Sequence, residues 1–266
     1  MRVTDLWVYP VKSLGGVRTD DAERIAVEPW GLVGDRRWAL VDETGKPITA
    51  REVHSLLGLT AAPVDAETMR ITDQQGASIL VEAPIGVPPV PVGHSRQGSA
   101  NPADDDVNDW LTARAGRPVR LVWQEDPTVR TLSPDRGGMP GEHLSLADAG
   151  PVLLVTRASM AQLNLWVGSE LDIQRFRANV VIDGDEPFAE DDWAGVRIGD
   201  VDFRTTMICD RCVMTTIDPD TLESGKEPIR TLATHRRWEG ATWFGIRLVA
   251  LGPGDLGTGD EVTPLP

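Results

Sequence analysis

Apolar and polar side chains alternate over residues 3–9, the period-two pattern of a strand with one buried face. Pro10 closes the run because it has no backbone N–H to donate. Short runs of the same kind recur at residues 25–27, 37–42, 69–72 and 78–81, separated by turn-forming pairs such as Gly15-Gly16, Thr44-Gly45 and Gln75-Gly76. Residues 84–91 hold four prolines, which confines them to a loop or a sheet edge. The period changes at residues 104–115, where Val107, Trp110, Leu111 and Ala115 share one helical face. Aspartates crowd the start of that run and Gly116-Arg117-Pro118 stops it.

Beyond a strand at residues 119–123, strands are predicted at residues 151–156, 179–183 and 201–204, and residues 213–217 form a β-branched, strand-like run. Residues 243–251 make a long apolar strand, followed by glycine-rich turns and one last short strand. Ser159, three residues before Gln162, predicts a capping box opening a short helix with Met160, Leu163 and Val167 on its inner side. Glu227-Pro228 predicts another helix start, since proline fits the first turn and a carboxylate suits the amino end. Residues 125–143 are rich in proline, glycine and charge; a surface loop of that length is uncommon unless it lines a site.

These elements predict a mainly β fold class of two β-barrel-like domains with a few short helices, divided near Pro118 into residues 1–118 and 119–266. No strand is followed by Gly-x-Gly-x-x-Gly, so a dinucleotide-binding unit is unsupported.

Composition leaves this picture intact: 266 residues, 41% hydrophobic and 25% charged, describe a globular chain with room for a sizeable core. Charge adds a constraint. Acidic residues number 41 against 26 basic ones, a formal net charge of −15. Such a surface repels phosphate backbones, and no block of basic residues offsets it, so nucleic acid is not an expected partner. The plainer reading of the acidity is a solubilising surface. No run of apolar residues is long enough to span a membrane, and the start shows no signal core. Two cysteines without a secretion signal suit a reducing compartment, and a cytoplasmic location is expected.

Cys209-Asp210-Arg211-Cys212 is the densest chemical signal. A structural zinc site needs four ligands, yet there is no second cysteine pair, and His54, His94, His143 and His235 stand apart. Dithiol exchange needs the pair at the head of a helix, where a strand-like run follows instead. A single thiolate holding a soft, cofactor-borne metal needs one cysteine and a nearby cation, which Arg211 supplies. Two inert buried cysteines are the plainest alternative. Lys12-Ser13, Arg36-Arg37 and Arg177 add groups able to hold a phosphate, although each alone also fits a solvated surface charge.

Seven stretches, in order, carry a family resemblance: Tyr9-Pro10-Val11-Lys12-Ser13, Gly34-Asp35-Arg36-Arg37-Trp38, Thr49-Ala50-Arg51, Phe176-Arg177-Ala178-Asn179, Phe188 to Trp193, Cys209 to Asp220, and Glu227 to Leu232. Together they resemble proteins built from a MOSC amino-terminal β-barrel domain and a MOSC domain, the molybdenum cofactor sulfurase carboxy-terminal type. The group includes the YcbX-like proteins and the mitochondrial amidoxime-reducing component.

The resemblance implies a molybdenum cofactor (Mo-molybdopterin) seated between the two parts, with Cys212 as metal ligand and catalytic residue. It puts Lys12, Ser13 and Arg36 on the cofactor's phosphate side, and Thr156, Ser159, Arg177, Asn179 and Arg211 on or near other contacts. The implied chemistry is two-electron reduction of small N-hydroxylated substrates, with the substrate oxygen accepted at molybdenum. The alternative is a module that carries the cofactor or its sulfur without oxidoreductase activity. Pyridoxal phosphate binding is a further term attached to the family. Asp210 is a candidate proton relay, although a carboxylate beside Arg211 can equally form an ion pair. Several bacterial relatives carry a fused iron–sulfur domain marked by four cysteines; with two cysteines in all, no intrinsic Fe–S cluster is expected here. Electrons are then expected from a separate protein, a ferredoxin, flavoprotein or haem protein.

Overall fold

A computed structural model describes residues 1–94 and 96–265. The alternating runs become strands, and the fold is mainly β. Three α-helices occur among the described residues: α1 (Asp105–Ala115), α2 (Arg157–Val167) and α3 (Ile229–His235). The helix predicted before Gly116 is α1, which ends where Gly116 takes the left-handed conformation (φ 68°) that glycine adopts without a Cβ penalty.

The largest sheet runs in the order Val17–Arg18, Val3–Val8, Val180–Ile182, Val152–Thr156, Ala241–Ala250, Val201–Asp210, Gly195–Ile198 and Val262–Leu265, with Arg237–Trp238 attached to Ala241–Ala250. Its parallel pair, Val152–Thr156 with Val180–Ile182, needs a crossover, and α2 lies within that connection. A five-stranded sheet (Val90–Pro91, Ser99–Pro102, Arg120–Trp123, Trp38–Val41, Pro47–Ile48) and a meander (Leu59–Pro63, Thr68–Asp73, Ser78–Glu82) make up most of the first half. The proline-rich stretch ends at Val90–Pro91, on the edge of its sheet.

The two halves of the sequence are interwoven. Val3–Val8 pairs antiparallel with Val180–Ile182, and Arg24–Glu28 pairs with Gly254–Gly257. One core therefore contains Leu6 and Val8 together with Leu154, Val180, Phe203 and Ile246, while a second contains Val11 and Leu14 with Leu40, Ile71, Leu111 and Leu121. Residues 9–13 are the passage from one core to the other. Gly16 makes that passage tight: a Cβ there would lie 2.3 Å from the Val8 carbonyl oxygen.

Three local expectations change. The run expected as a strand at residues 213–217 folds as a 3-10 turn, Val213–Thr216. The Thr215 hydroxyl donates to the Cys212 carbonyl at 3.0 Å and the Thr216 hydroxyl to the Val213 carbonyl at 2.7 Å, local bonds that override β-propensity. Helix α2 starts before Ser159, because Thr156 is its N-cap and its hydroxyl accepts from the Ser159 N–H at 3.0 Å. Two short strands, Gly254–Gly257 and Val262–Leu265, close the chain instead of one. Replacing Thr156 by valine removes the cap, and we expect a loss of about 1–2 kcal/mol, read as a lower urea midpoint at unchanged slope.

Candidate functional site

A cavity lies beside the passage between the two cores, lined by both halves of the sequence. Seven basic side chains face it against two carboxylates, Asp148 and Asp210, in a chain whose formal charge is −15. Positive charge is thus concentrated at this one place.

Backbone strain collects there too. Seven non-glycine residues among those described have positive φ, and three of them line the cavity: Ser13 (72°), Arg36 (50°) and Arg177 (54°). A side chain held in that region costs roughly 1–2 kcal/mol, a cost that recurs where function fixes a geometry. Both arginines stack on the buried Tyr9 ring, with Arg36 at 4.9 Å and Arg177 at 4.3 Å from its centroid. Arg177 also donates to the carbonyls of Leu14 and Val11. Burial, with Arg36 alongside, pushes its guanidinium down to about 10, still protonated at neutral pH but short of negative charge.

Beneath them lies a polar hub. Asn179, 1% exposed, accepts from Arg36 Nη1 at 2.9 Å and from the Leu153 N–H at 3.2 Å, and donates to Asp35 Oδ1 at 3.0 Å and to the Trp7 carbonyl at 3.2 Å. Asp35, equally buried, accepts from the Tyr9 N–H at 2.9 Å and pairs with Arg36 at 2.5 Å. Lys12 donates to the Leu146 carbonyl at 2.9 Å and pairs with Asp148, whose carboxyl it holds well below the usual range.

Cys209 reaches the cavity on the strand Val201–Asp210 and Cys212 just past its end; the strand's pairing with Ala241–Ala250 is broken by bulges between Thr205 and Met207 and between Ile208 and Asp210. Bulges twist a strand and re-aim its side chains. Cys209 is buried, and its sulfur accepts from Arg211 Nη1 at 3.0 Å. Arg211 is fixed by its backbone N–H on the Thr242 carbonyl and by Nη2 on the Phe176 carbonyl, at 2.8 and 2.7 Å. Cys212 is only half-buried, caps the turn Val213–Thr216 and faces Arg51 of the first half. Nε of Arg175 and Nε of Arg211 are buried with no protein partner.

Those two orphaned donors, the excess of cations and one accessible thiol fit an anionic organic group bearing a soft metal. Among the described residues no three His, Cys, Asp or Glu side chains converge as a cage for a metal, so the protein alone offers no zinc-type site.

Of the residues singled out in the sequence, Lys12, Ser13, Arg36, Arg177, Asn179, Arg211 and Cys212 all line this cavity. Thr156 and Ser159 do not. They are buried at the start of α2, where Thr156 bonds the Ser159 hydroxyl at 2.8 Å and Ser159 donates to Glu190 at 2.7 Å. Their hydroxyls cap a helix and satisfy a buried carboxylate. Asp210 is pinned between Arg247 (2.5 Å) and Arg136 (3.2 Å), not against Arg211; burial raises its pKa, but the two guanidiniums outweigh this and hold it below the usual range.

Asp35 and Arg51, present in the resembling stretches without a role, and Asp148, Arg175 and Arg247 also build or line the same cavity. Arg247 left a trace, as a charge inside an otherwise apolar strand. Asp148 left none.

Close behind Lys12 and Asp148 sits buried His94, which burial, then Lys12 and Arg130, push down to about 4. A depressed histidine binds its proton more readily unfolded, so stability falls as pH drops from about 6.5 towards 4. Between pH 7 and 5 we expect a loss of roughly 2 kcal/mol in urea unfolding. The pH dependence should flatten in His94→Gln.

Comparison with known proteins gives two matching family models, the MOSC N-terminal beta barrel domain over residues 1–118 and the MOSC domain over residues 141–263. Mitochondrial amidoxime-reducing component 1 of Homo sapiens is 32% identical over 279 residues, covering 98% of this chain and 82% of that protein. Molybdenum cofactor sulfurase of Danio rerio is 30% identical over 269 residues, covering 92% of this chain and 31% of that protein. Among solved structures, the YuaD protein of Bacillus subtilis aligns over 98% of this chain and 93% of its own, with a TM-score of 0.45 and 12% identity.

Proposed function

The chain belongs to the MOSC family, with a MOSC N-terminal β-barrel domain ahead of the MOSC domain, and from that premise we propose that it is a molybdenum cofactor-dependent oxidoreductase reducing N-hydroxylated compounds. The observation that carries the reading is the cavity itself, where seven cations from both halves line the same space as the half-buried Cys212. The name of the human relative, an amidoxime-reducing component, supplies the substrate class. Residues 1–118 and 119–266 are its two domains in this proposal, and its location is cytoplasmic. No helix among the described residues is long and apolar enough to cross a membrane.

When bound, the molybdenum cofactor supplies two-electron, oxygen-accepting chemistry between its (VI) and (IV) states. Cys212 would hold the metal. Lys12, Ser13, Arg36, Arg177, Asn179 and Arg211 would hold the anionic part of the cofactor through charge-assisted hydrogen bonds, with Nε of Arg175 and of Arg211 taking up the partners they lack. The overall change, a hydroxylamine plus two electrons and two protons giving an amine and water, requires a proton source. Lys12 holds the Asp148 carboxyl, and Arg247 with Arg136 the Asp210 carboxyl, ionised at neutral pH, so both accept hydrogen bonds and neither is a ready acid. Protons come from water at the cavity. Electrons come from a separate ferredoxin, flavoprotein or haem protein.

The similarity to a molybdenum cofactor sulfurase favours a second reading, a cofactor or sulfur carrier. Both readings require cofactor binding, and turnover separates them. Protein purified from a cofactor-making host should carry stoichiometric molybdenum and reduce benzamidoxime with reduced methyl viologen as donor. Molybdenum without turnover selects the carrier, and protein without molybdenum sinks both.

A further inference from the structure

Two cations beside the cavity are surplus to the carboxylates they touch. Asp148 already holds Lys12, whose side chain is 17% exposed, and Asp210 already holds Arg247, 9% exposed. Each carboxylate is therefore neutralised by a cation on its inner side. Arg51 stands 3.5 Å from Asp148, longer than a good hydrogen bond, and remains 45% exposed. Arg136 makes one 3.2 Å contact to Asp210 and remains 43% exposed. A guanidinium carries five donors in a planar fork, so both keep donors to spare.

The backbone that carries Arg136 is fixed. Arg136 ends the turn Pro134–Arg136, and the following Gly137 lies so close to the strand Val201–Asp210 that a Cβ would meet the Thr206 carbonyl oxygen at 2.4 Å. Arg204 of that strand ties the loop down, donating to the Gly137 carbonyl at 2.9 Å and to both oxygens of Glu142 at 2.8 and 2.7 Å. The long loop expected to line a site contributes no residue to the cavity wall, but it is fastened so that Arg136 reaches Asp210, which does line it. Arg51 comes from the other half, lines the cavity and faces the Cys212 sulfur. Neither is among the residues assigned to the anionic part of the cofactor, although Arg51 is one of the seven cations of the cavity.

We propose that Arg51 and Arg136 form an anion-recognition pair at the cavity and that the physiological substrate is an N-hydroxylated compound bearing a carboxylate. The planar carboxylate matches the guanidinium fork, and a local cationic site draws such a molecule despite the acidic surface elsewhere. The substrate assignment rests on the oxidoreductase reading; the anion pair rests on the spare donors of the two exposed guanidiniums and on the two cavity carboxylates they touch.

The test compares 4-carboxybenzamidoxime with neutral benzamidoxime by calorimetric titration of the cofactor-loaded, oxidised chain, which cannot turn over without a donor. The carboxylated compound should bind about tenfold tighter at low salt, the advantage shrinking as salt screens it. The ratio should fall towards unity in Arg51→Gln and in Arg136→Gln, and Arg136→Lys should retain part of it. Equal binding of both compounds by the unaltered chain overturns the pair, as does a ratio unchanged in both glutamine variants. Viologen-driven turnover of neutral benzamidoxime is measured in parallel. Turnover with flat binding refutes the pair and keeps the oxidoreductase, whereas selective binding without turnover keeps the pair and refutes the oxidoreductase.

Discussion

Replacing Cys212 by alanine is expected to strip molybdenum from the purified chain and lower turnover by about 100-fold or more, since substitutions one layer outside a metal's ligands already cost 10- to 100-fold. The fold should survive. Cys212 is half-buried and sits outside both main hydrophobic cores, so the cofactor-free variant and the cofactor-free parent should unfold within about 0.5 kcal/mol of each other. The loaded parent should stand above both, because a ligand that binds only the folded chain adds stability; at a hundredfold excess over its dissociation constant this is about 2.7 kcal/mol. Cys209 provides the contrast. Its sulfur is buried and already accepts from Arg211, so Cys209→Ala should keep its molybdenum. Elemental analysis of both variants decides the matter: full metal in Cys212→Ala would remove the assigned ligand, and metal lost equally from both would point to a shared structural effect.

The strands were legible because their pattern is local. Alternation at residues 3–9 and the apolar run ending near residue 250 need no partner to be recognised, and Val3–Val8 and Ala241–Ala250 lie where it puts them. The turn Val213–Thr216 was misread because threonine favours strands on average, while here its hydroxyls find carbonyls three residues back. Ser-x-x-Gln at Ser159 fits the capping pattern, yet Thr156-x-x-Ser159 provides the cap while the Ser159 hydroxyl donates to Glu190, 31 positions away.

The same limit governs the site. Lys12, Arg36, Arg177, Arg211 and Cys212 stand out singly as charges or a thiol, and only the family resemblance joins positions so far apart. Asp35 stood in the quoted Gly34-Asp35-Arg36 stretch, but its role depends on Asn179, 144 positions away. Arg136 and Asp148 acquire meaning only once the loop and the strand beside it are packed.

That hub carries the second large effect. Asn179→Leu keeps a side chain of similar size but deletes four hydrogen bonds at once, to Arg36, Leu153, Asp35 and Trp7. The Leu153 N–H and the Trp7 carbonyl lose partners in a buried place, and the ion pair of Asp35 with Arg36 loses the amide bonded to both. Breaking a buried charged network in this way costs about 3–5 kcal/mol, a large share of a typical domain's stability. Asn179→Asp should also destabilise, by setting a second carboxylate against Asp35. Adding Asp35→Asn to it should recover part of the loss, since amide and carboxylate then exchange places and Arg36 keeps one anion. Urea unfolding of the parent, Asn179→Asp, Asp35→Asn and their combination forms a double-mutant cycle, and a cost below about 1 kcal/mol for Asn179→Leu would mean that the hub does not hold the two halves together. The hub also aims Arg36 into the cavity, so molybdenum content should fall in Asn179→Leu beyond what its stability predicts. Stability and cofactor retention are coupled here because one amide serves both: the same four bonds that join the halves set the guanidinium that faces the ligand.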